Sequence, residues 1–459
     1  MTNLLRYMPN CVKIDRMLLS NIQDSPQKQH FVKDIITFSH DNNIVVLAEG
    51  VETQEELKML IQLGVDLIQG YYTARPAREI VSSISKVIKN EIIEYSENAS
   101  HNRGRQIYKS GKESQISLAR LSAEKYSIIE ITGTEDEQHD VTISGVLDME
   151  TEIYLKVRSG YKGKIILDNV TLQGKSHGAS IDIGKDCDVT IVAQGENRLL
   201  NGGIRVPESS RLTFEGDGQI FIRVDGANYF GIGNDINARH GELIFEQDGI
   251  VEIKGSGMKG VAIGSGFGGP VSIQRGKYIL NIVGQDGVGI GSFSGNVKPE
   301  LVNCDLQISM ATSRAVGVGS IMGDARIHME CTGYIGEFNV EEAIGFGTFE
   351  GKKSEMSIAH ANLMLNMRGH KLCGIGANGG DVSLHLEECS VTVAGEGTEA
   401  IAWGNQVGTG KVDIKSGKLD GRMKTGFSTN VGVLEGKVSL ENAEYIYIKN
   451  GETVVMQEF

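Results

Sequence analysis

The chain has 459 residues, enough for two or three domains with sizeable cores, and carries 59 acidic against 45 basic side chains, a formal charge of −14. That balance repels phosphate backbones and anionic lipid unless a basic patch intervenes, and no such patch is visible, so neither DNA nor RNA is an expected partner. Residues 1–10 lack the pattern of a secretory signal and no apolar run approaches membrane-spanning length, so no membrane span is expected and the cytoplasm is the expected compartment.

Glycine divides the chain, because only Gly50, Gly64 and Gly70 of its 59 glycines fall within the first hundred positions. Residues 1–95 alternate short apolar runs with helical patterns. Strands are predicted at 11–15, 44–49 and 66–72, and helices at about 27–41, 54–63 and 77–95. Such alternation is the signature of βαβ units in a parallel sheet. The second helix is well marked: Thr53 and Glu56 form a capping box, Leu57, Leu60 and Ile61 give an apolar stripe, and Gly64 stands where a left-handed residue ends a helix.

Three segments here carry more than periodicity. They are Val12-Lys13-Ile14-Asp15-Arg16, Ala48-Glu49-Gly50-Val51-Glu52-Thr53, and Gln69-Gly70-Tyr71-Tyr72 followed by Ala74-Arg75-Pro76. Each places polar residues at the end of a predicted strand, which in a (β/α)₈ barrel is the catalytic face. On the residues alone, Lys13 and Asp15 read more readily as an ordinary ion pair at a sheet end, and Gln69 as a group satisfying the backbone.

In order and spacing the three segments resemble the last third of EAL-domain cyclic di-GMP phosphodiesterases. The resemblance implies a barrel that uses two Mg²⁺ or Mn²⁺ ions to activate water against a phosphodiester of cyclic di-GMP. It makes Lys13 the active-site lysine near the attacking water, Glu49 the glutamate at the metal and water site and Gln69 the terminal site glutamine, with Asp15 and Glu52 in support. The E-A-L tripeptide, the metal-binding asparagine, the second glutamate and the D-D-F-G-x-G-Y segment of the family have no counterpart here. The expectation is a truncated α/β segment with three barrel strands of eight, a disabled site, and a protein partner as one way to cover its open edge.

Residues 96–114 read as a polar linker, and 115–459 as an all-β solenoid. Small G-[IV]-G-like knots recur with marked apolar residues at Ile204, Ile232, Ile263, Ile290, Val318, Ile344, Ile375, Ile401 and Phe427, at intervals of 26 to 31 residues. A near-constant period means one coil per repeat, and short runs cut by Gly and Asn predict a parallel β-helix of roughly ten coils with ladders of Ile, Val and Leu inside. Residues 115–150 are expected to start this helix and 441–459 to close it.

In repeat texture the solenoid resembles glycine-rich right-handed β-helix domains of bacteria described as carbohydrate-binding, which implies a polysaccharide or Ca²⁺ as ligand. Phe267, Phe293 and Trp403, with Phe346 or Phe349, recur near the knots and could line a sugar chain, although aromatic ladders inside solenoids are commoner. The six cysteines form no C-x-x-C pair, which suggests neither zinc nor disulfides, and Cys304 and Cys331, 27 apart, read as a stacked interior pair. The G-x-G knots do not open helices, so a dinucleotide-binding reading fails.

Overall fold

The computed structural model describes residues 9–41, 44–75, 84–102, 106–132, 140–147, 149–174, 179–405, 407–425, 435–449 and 452–453. Near the amino terminus three short strands, β1 (Cys11–Ile14), β2 (Val45–Glu49) and β3 (Leu67–Gln69), lie parallel in that order. The helices Pro26–Asp41 and Gln54–Leu63 make the crossovers that parallel pairing requires. Ile14, Val46 and Ala48 face these helices and share a core with Leu19, Val32, Ile36, Leu57 and Leu60. The alternate row, Lys13, Val45, Leu47, Glu49, Leu67 and Gln69, is half-buried or exposed, Leu67 at 52%. Parallel sheets are ordinarily covered on both faces, so among the described residues this sheet has one face bare.

The capping box forms as the sequence predicts: Glu56 N–H donates to Thr53 Oγ1 and Thr53 N–H to Glu56 Oε2, both at 3.2 Å. Gly64 ends that helix at φ 103°. A four-residue helix Arg16–Leu19 and the 3₁₀ turn Ile22–Asp24, which periodicity does not reveal in so short a span, fill the connection after β1. The helix after β3 spans Lys86–Asn102, shifted toward the carboxyl terminus from the predicted 77–95, and it runs into the polar stretch read as a linker. Residues 77–83 of that prediction lie outside the described residues.

From Gln106 the chain winds into a parallel β-solenoid of about 11 coils. Its first strands, Gln106–Lys109 and Gln115–Ser117, already pair with the next coil, so the sheet begins ahead of residue 115. The short helix Leu118–Ala123, capped by Ser117, buries Leu118 and Leu121 over the first coil. At the other end Ile448–Lys449 pair antiparallel with Glu452–Thr453, a reversal that ends the parallel stacking. The interior is one continuous core of Ile, Val and Leu, with Phe214 stacked on Phe245 at 5.0 Å between ring centres.

Stacking corrects the phase of the repeat. Ile290, Val318, Phe346, Ile375 and Trp403 are the residues in register, at steps of 28, 28, 29 and 28. Ile344 and Ile401, chosen as marks from the sequence, stand two residues early, in a different column. That column, Val261, Val288, Val316, Ile344, Cys373 and Ile401, belongs to a second buried cluster, completed by Phe293, Ile321 and Phe349. Phe427 lies outside the described residues. Side-chain hydroxyls hold the loops that carry these covering residues: Thr348 Oγ1 donates to Gly323 O at 2.7 Å, and Gly323 N–H to Ser320 Oγ at 2.8 Å. Where coils turn beside the Phe346–Ile375–Trp403 column, Gly347, Gly376 and Gly404 stack, and a Cβ on Gly376 would stand 1.7 Å from Gly404 O.

Candidate functional site

β1, β2 and β3 end together, and their register sets the site. Lys13 pairs with Leu47 and Glu49 pairs with Gln69, so Lys13, Glu49 and Gln69 lie on the bare face at the carboxyl ends of neighbouring strands. Lys13 Nζ stands 3.0 Å from Glu49 Oε2. The lysine's partner is therefore Glu49 and not Asp15. Asp15 instead caps the Arg16–Leu19 helix, its Oδ1 accepting from Met17 N–H at 2.8 Å. Glu52 is held by the Arg16 guanidinium.

Backbone contacts fuse the second and third motifs. Gly50 and Val51 N–H both donate to Gln69 O, at 2.7 and 3.2 Å, and Tyr72 N–H donates to Val51 O at 3.0 Å. Gly50 has φ +83°, and a Cβ there would meet Arg16 Cβ at 2.8 Å. A glycine is thus needed for the chain to turn past Arg16 and rest on the end of β3. Behind this turn Tyr72 O–H donates to Glu91 Oε2 at 2.7 Å, which docks the Lys86–Asn102 helix. Desolvation first, and then the Glu91 carboxylate, push the Tyr72 phenol up to about 12. Arg16, which stands in the first motif without an expected role, is the partner of Glu52, and their separation of 36 positions leaves no local signal for the pairing.

The divalent metals implied by the family resemblance can be tested against these groups. Among the described residues of β1, β2 and β3, Glu49 is the one carboxylate on the bare face and already meets Lys13, while Asp15 and Glu52 are engaged elsewhere. Among the described residues no group of three His, Cys, Asp or Glu ligand atoms gathers around Glu49. The residues present do not fit a two-metal centre.

Residues 1–76 match the EAL domain. Similar proteins include the signaling protein YkoW of Bacillus subtilis, 34% identical over 65 residues, which are 14% of this chain and 8% of the relative. The probable cyclic di-GMP phosphodiesterase PdeD of Escherichia coli is 38% identical over 68 residues, 15% of this chain and 13% of the relative. The cyclic di-GMP phosphodiesterase RocR of Pseudomonas aeruginosa is 31% identical over 68 residues, 15% and 17%. The chain thus spans less than a fifth of the length of these relatives. No solved structure matches it.

The EAL segment is followed by a solenoid in which the possible sugar-stacking rings do not share one exposed row. Trp403 is buried in the main core at 1% exposure and Phe293 in the second cluster at 6%, whereas Phe267 is 42% exposed. The apolar columns on both sides of the knot strand take up the rings. Cys304 and Cys331 are not stacked either: Cys304 is buried beside Thr332, at 3.9 Å from sulfur to hydroxyl, and Cys331 is exposed at a corner with φ 49°. The coil period here is 28, so a spacing of 27 moves the second thiol one residue out of register. Among the described residues no helix is long and apolar enough to cross a membrane.

Proposed function

We propose that the EAL segment is the closing part of a (β/α)₈ barrel that keeps part of a cyclic di-GMP site, with the solenoid as an attached scaffold. The observation that carries this reading is the single bare face of the parallel sheet, on which Lys13, Glu49 and Gln69 meet at the strands' carboxyl ends. Barrel enzymes build their sites at that end, and a barrel interior is the face a three-stranded piece would leave open. Lys13 supplies a cation for a phosphate oxygen, Glu49 holds the ammonium in place, and Gln69 offers an amide beside it.

Hydrolysis of a phosphodiester by paired cations needs carboxylates that these three strands do not bring together. Turnover then requires the remaining strands, from residues upstream or from another chain. Calorimetric titration of the chain with cyclic di-GMP and Mg²⁺, with the linear dinucleotide followed in the same samples, tests the reading. Binding without product supports it. Product from this chain alone would overturn the incomplete-site reading, and absence of binding would overturn the cyclic di-GMP assignment.

A second reading, polysaccharide binding by the solenoid, is favoured by an open groove of about 830 Å³ lined by Ser309, Glu337, Asn366, Arg368, Glu396 and Arg422. Retardation of the chain in polysaccharide-containing gels that disappears with Arg368→Ala would support it; unchanged mobility across neutral and acidic polysaccharides would sink it.

A further inference from the structure

One corner of the solenoid carries chemistry that neither the EAL segment nor the groove uses. Along it Asn303, Cys331, His360, Glu388 and Ser416 occupy successive coils, each with φ between 49° and 56°. The left-handed backbone is common to the corner, and each turn's N–H feeds the next coil: Asn303 to Glu330 O at 3.0 Å, Cys331 to Ala359 O at 3.1 Å, His360 to Glu387 O at 2.9 Å. What changes from coil to coil is the side chain. Over two adjacent coils it supplies a thiol and an imidazole, joined by the carboxylate of Glu330, and one candidate ligand atom from each of the three lies within 4.8 Å of the other two.

We propose that Glu330, Cys331 and His360 form a binding site for a divalent cation of the zinc class. Rungs of a parallel sheet repeat every ~4.8 Å, so side chains at one corner position of adjacent coils arrive close together without a dedicated loop. Ligand atoms around a tetrahedral zinc, with bonds of about 2.0–2.3 Å, stand roughly 3.3–3.8 Å apart. Cys331 and His360 are exposed and Glu330 half-buried, and Glu330 Oε2 meets only the exposed His328 Nε2 at 3.9 Å among the ion pairs of the described residues, so small side-chain rotations close the difference. A thiolate, an imidazole and a carboxylate suit zinc and its neighbours over calcium or magnesium, which take oxygen ligands. His360 Nε2 is also 3.3 Å from Glu388 Oε2, which places on the next coil the carboxylate that orients a metal-binding imidazole. Three protein ligands leave the fourth position to water.

The test is titration of the reduced full chain with Co²⁺ as spectroscopic probe, followed by displacement with Zn²⁺. One equivalent of Co²⁺ is expected to give thiolate-to-cobalt charge-transfer absorption that Zn²⁺ abolishes. Cys331→Ser should remove the band, His360→Ala should weaken binding at least tenfold, and Glu388→Gln should weaken it about 10- to 100-fold as an orienting partner does. Cys11→Ser, which removes the other exposed thiol, should leave the band intact. Absence of stoichiometric binding by the unaltered chain would overturn the site, and so would a band that survives Cys331→Ser.

Discussion

Lys13 Nζ and Glu49 Oε2 meet at 3.0 Å across two adjacent parallel strands, on a sheet face left bare among the described residues. Both side chains are well exposed, at 53% and 40%. An exposed pair of this kind contributes about 0.2–1 kcal/mol to stability, so the fold has little use for it. Lys13→Ala is therefore expected to leave the urea midpoint nearly unchanged while reducing calorimetric affinity for cyclic di-GMP tenfold or more. A large loss of stability with unchanged affinity would assign the lysine to structure alone.

The turn between the two motifs behaves oppositely. Gly50→Ala forces a side chain into positive φ against Arg16, at a cost of about 1–3 kcal/mol. Because Gly50 and Val51 both bond Gln69 O, the strain acts on the end of β3, and hydrogen exchange at these two amides should rise more than exchange in the solenoid.

In the solenoid the stacked glycines predict a sharp contrast between near neighbours. Gly376→Ala places a methyl 1.7 Å from Gly404 O and should destabilise the chain by about 2 kcal/mol or more, whereas a Cβ on Gly379 would meet nothing within 4 Å. Gly379→Ala is expected to be neutral or stabilising by up to about 1 kcal/mol. Thermal melts of the two variants check both values.

His240 gives the fold an acid limit. It is buried, its Nδ1–H donates to Gly241 O at 2.7 Å, and desolvation lowers its pKa from 6.5 to about 4. Between those values the unfolded chain holds the extra proton, so stability is complete above about pH 6.5 and falls as the pH drops toward 4, by about 3 kcal/mol in all. His240→Gln should flatten this part of the curve of urea midpoint against pH. An equally steep curve in the variant would assign the acid sensitivity to other groups.

How far the sequence could be read depended on whether a signal was local. The capping box at Thr53 and Glu56 and the alternation of strands and helices as far as β3 rest on residues a few positions apart, the coil repeat rests on a mark that recurs every 26 to 31 residues, and the structure bears them out. The convergence of Lys13 and Glu49 followed from strand ends in a parallel sheet. What escaped was phase and direction. Apolar residues occupy both sides of the knot strand, so Ile344 and Phe346 look alike as marks although one joins the second cluster and the other the main core. Cys331 and His360, 29 apart, become neighbours only once the corner column is known.

The aromatic rings settle what the knot column does. Trp403 stands directly above Ile375 in the ladder at 1% exposure, and Phe346 packs against Tyr334 at 4.5 Å between ring centres. Removing so large a buried side chain leaves a cavity that stacked coils fill poorly, because each rung is fixed by hydrogen bonds to the next. Trp403→Ala should cost about 3–5 kcal/mol, whereas Phe267→Ala, at an exposed position, should stay within about 0.5 kcal/mol. Urea unfolding of the two variants measures the difference. A Trp403 variant as stable as the parent would mean that the ring lies outside the core and would return it to the surface as a stacking platform for a sugar chain.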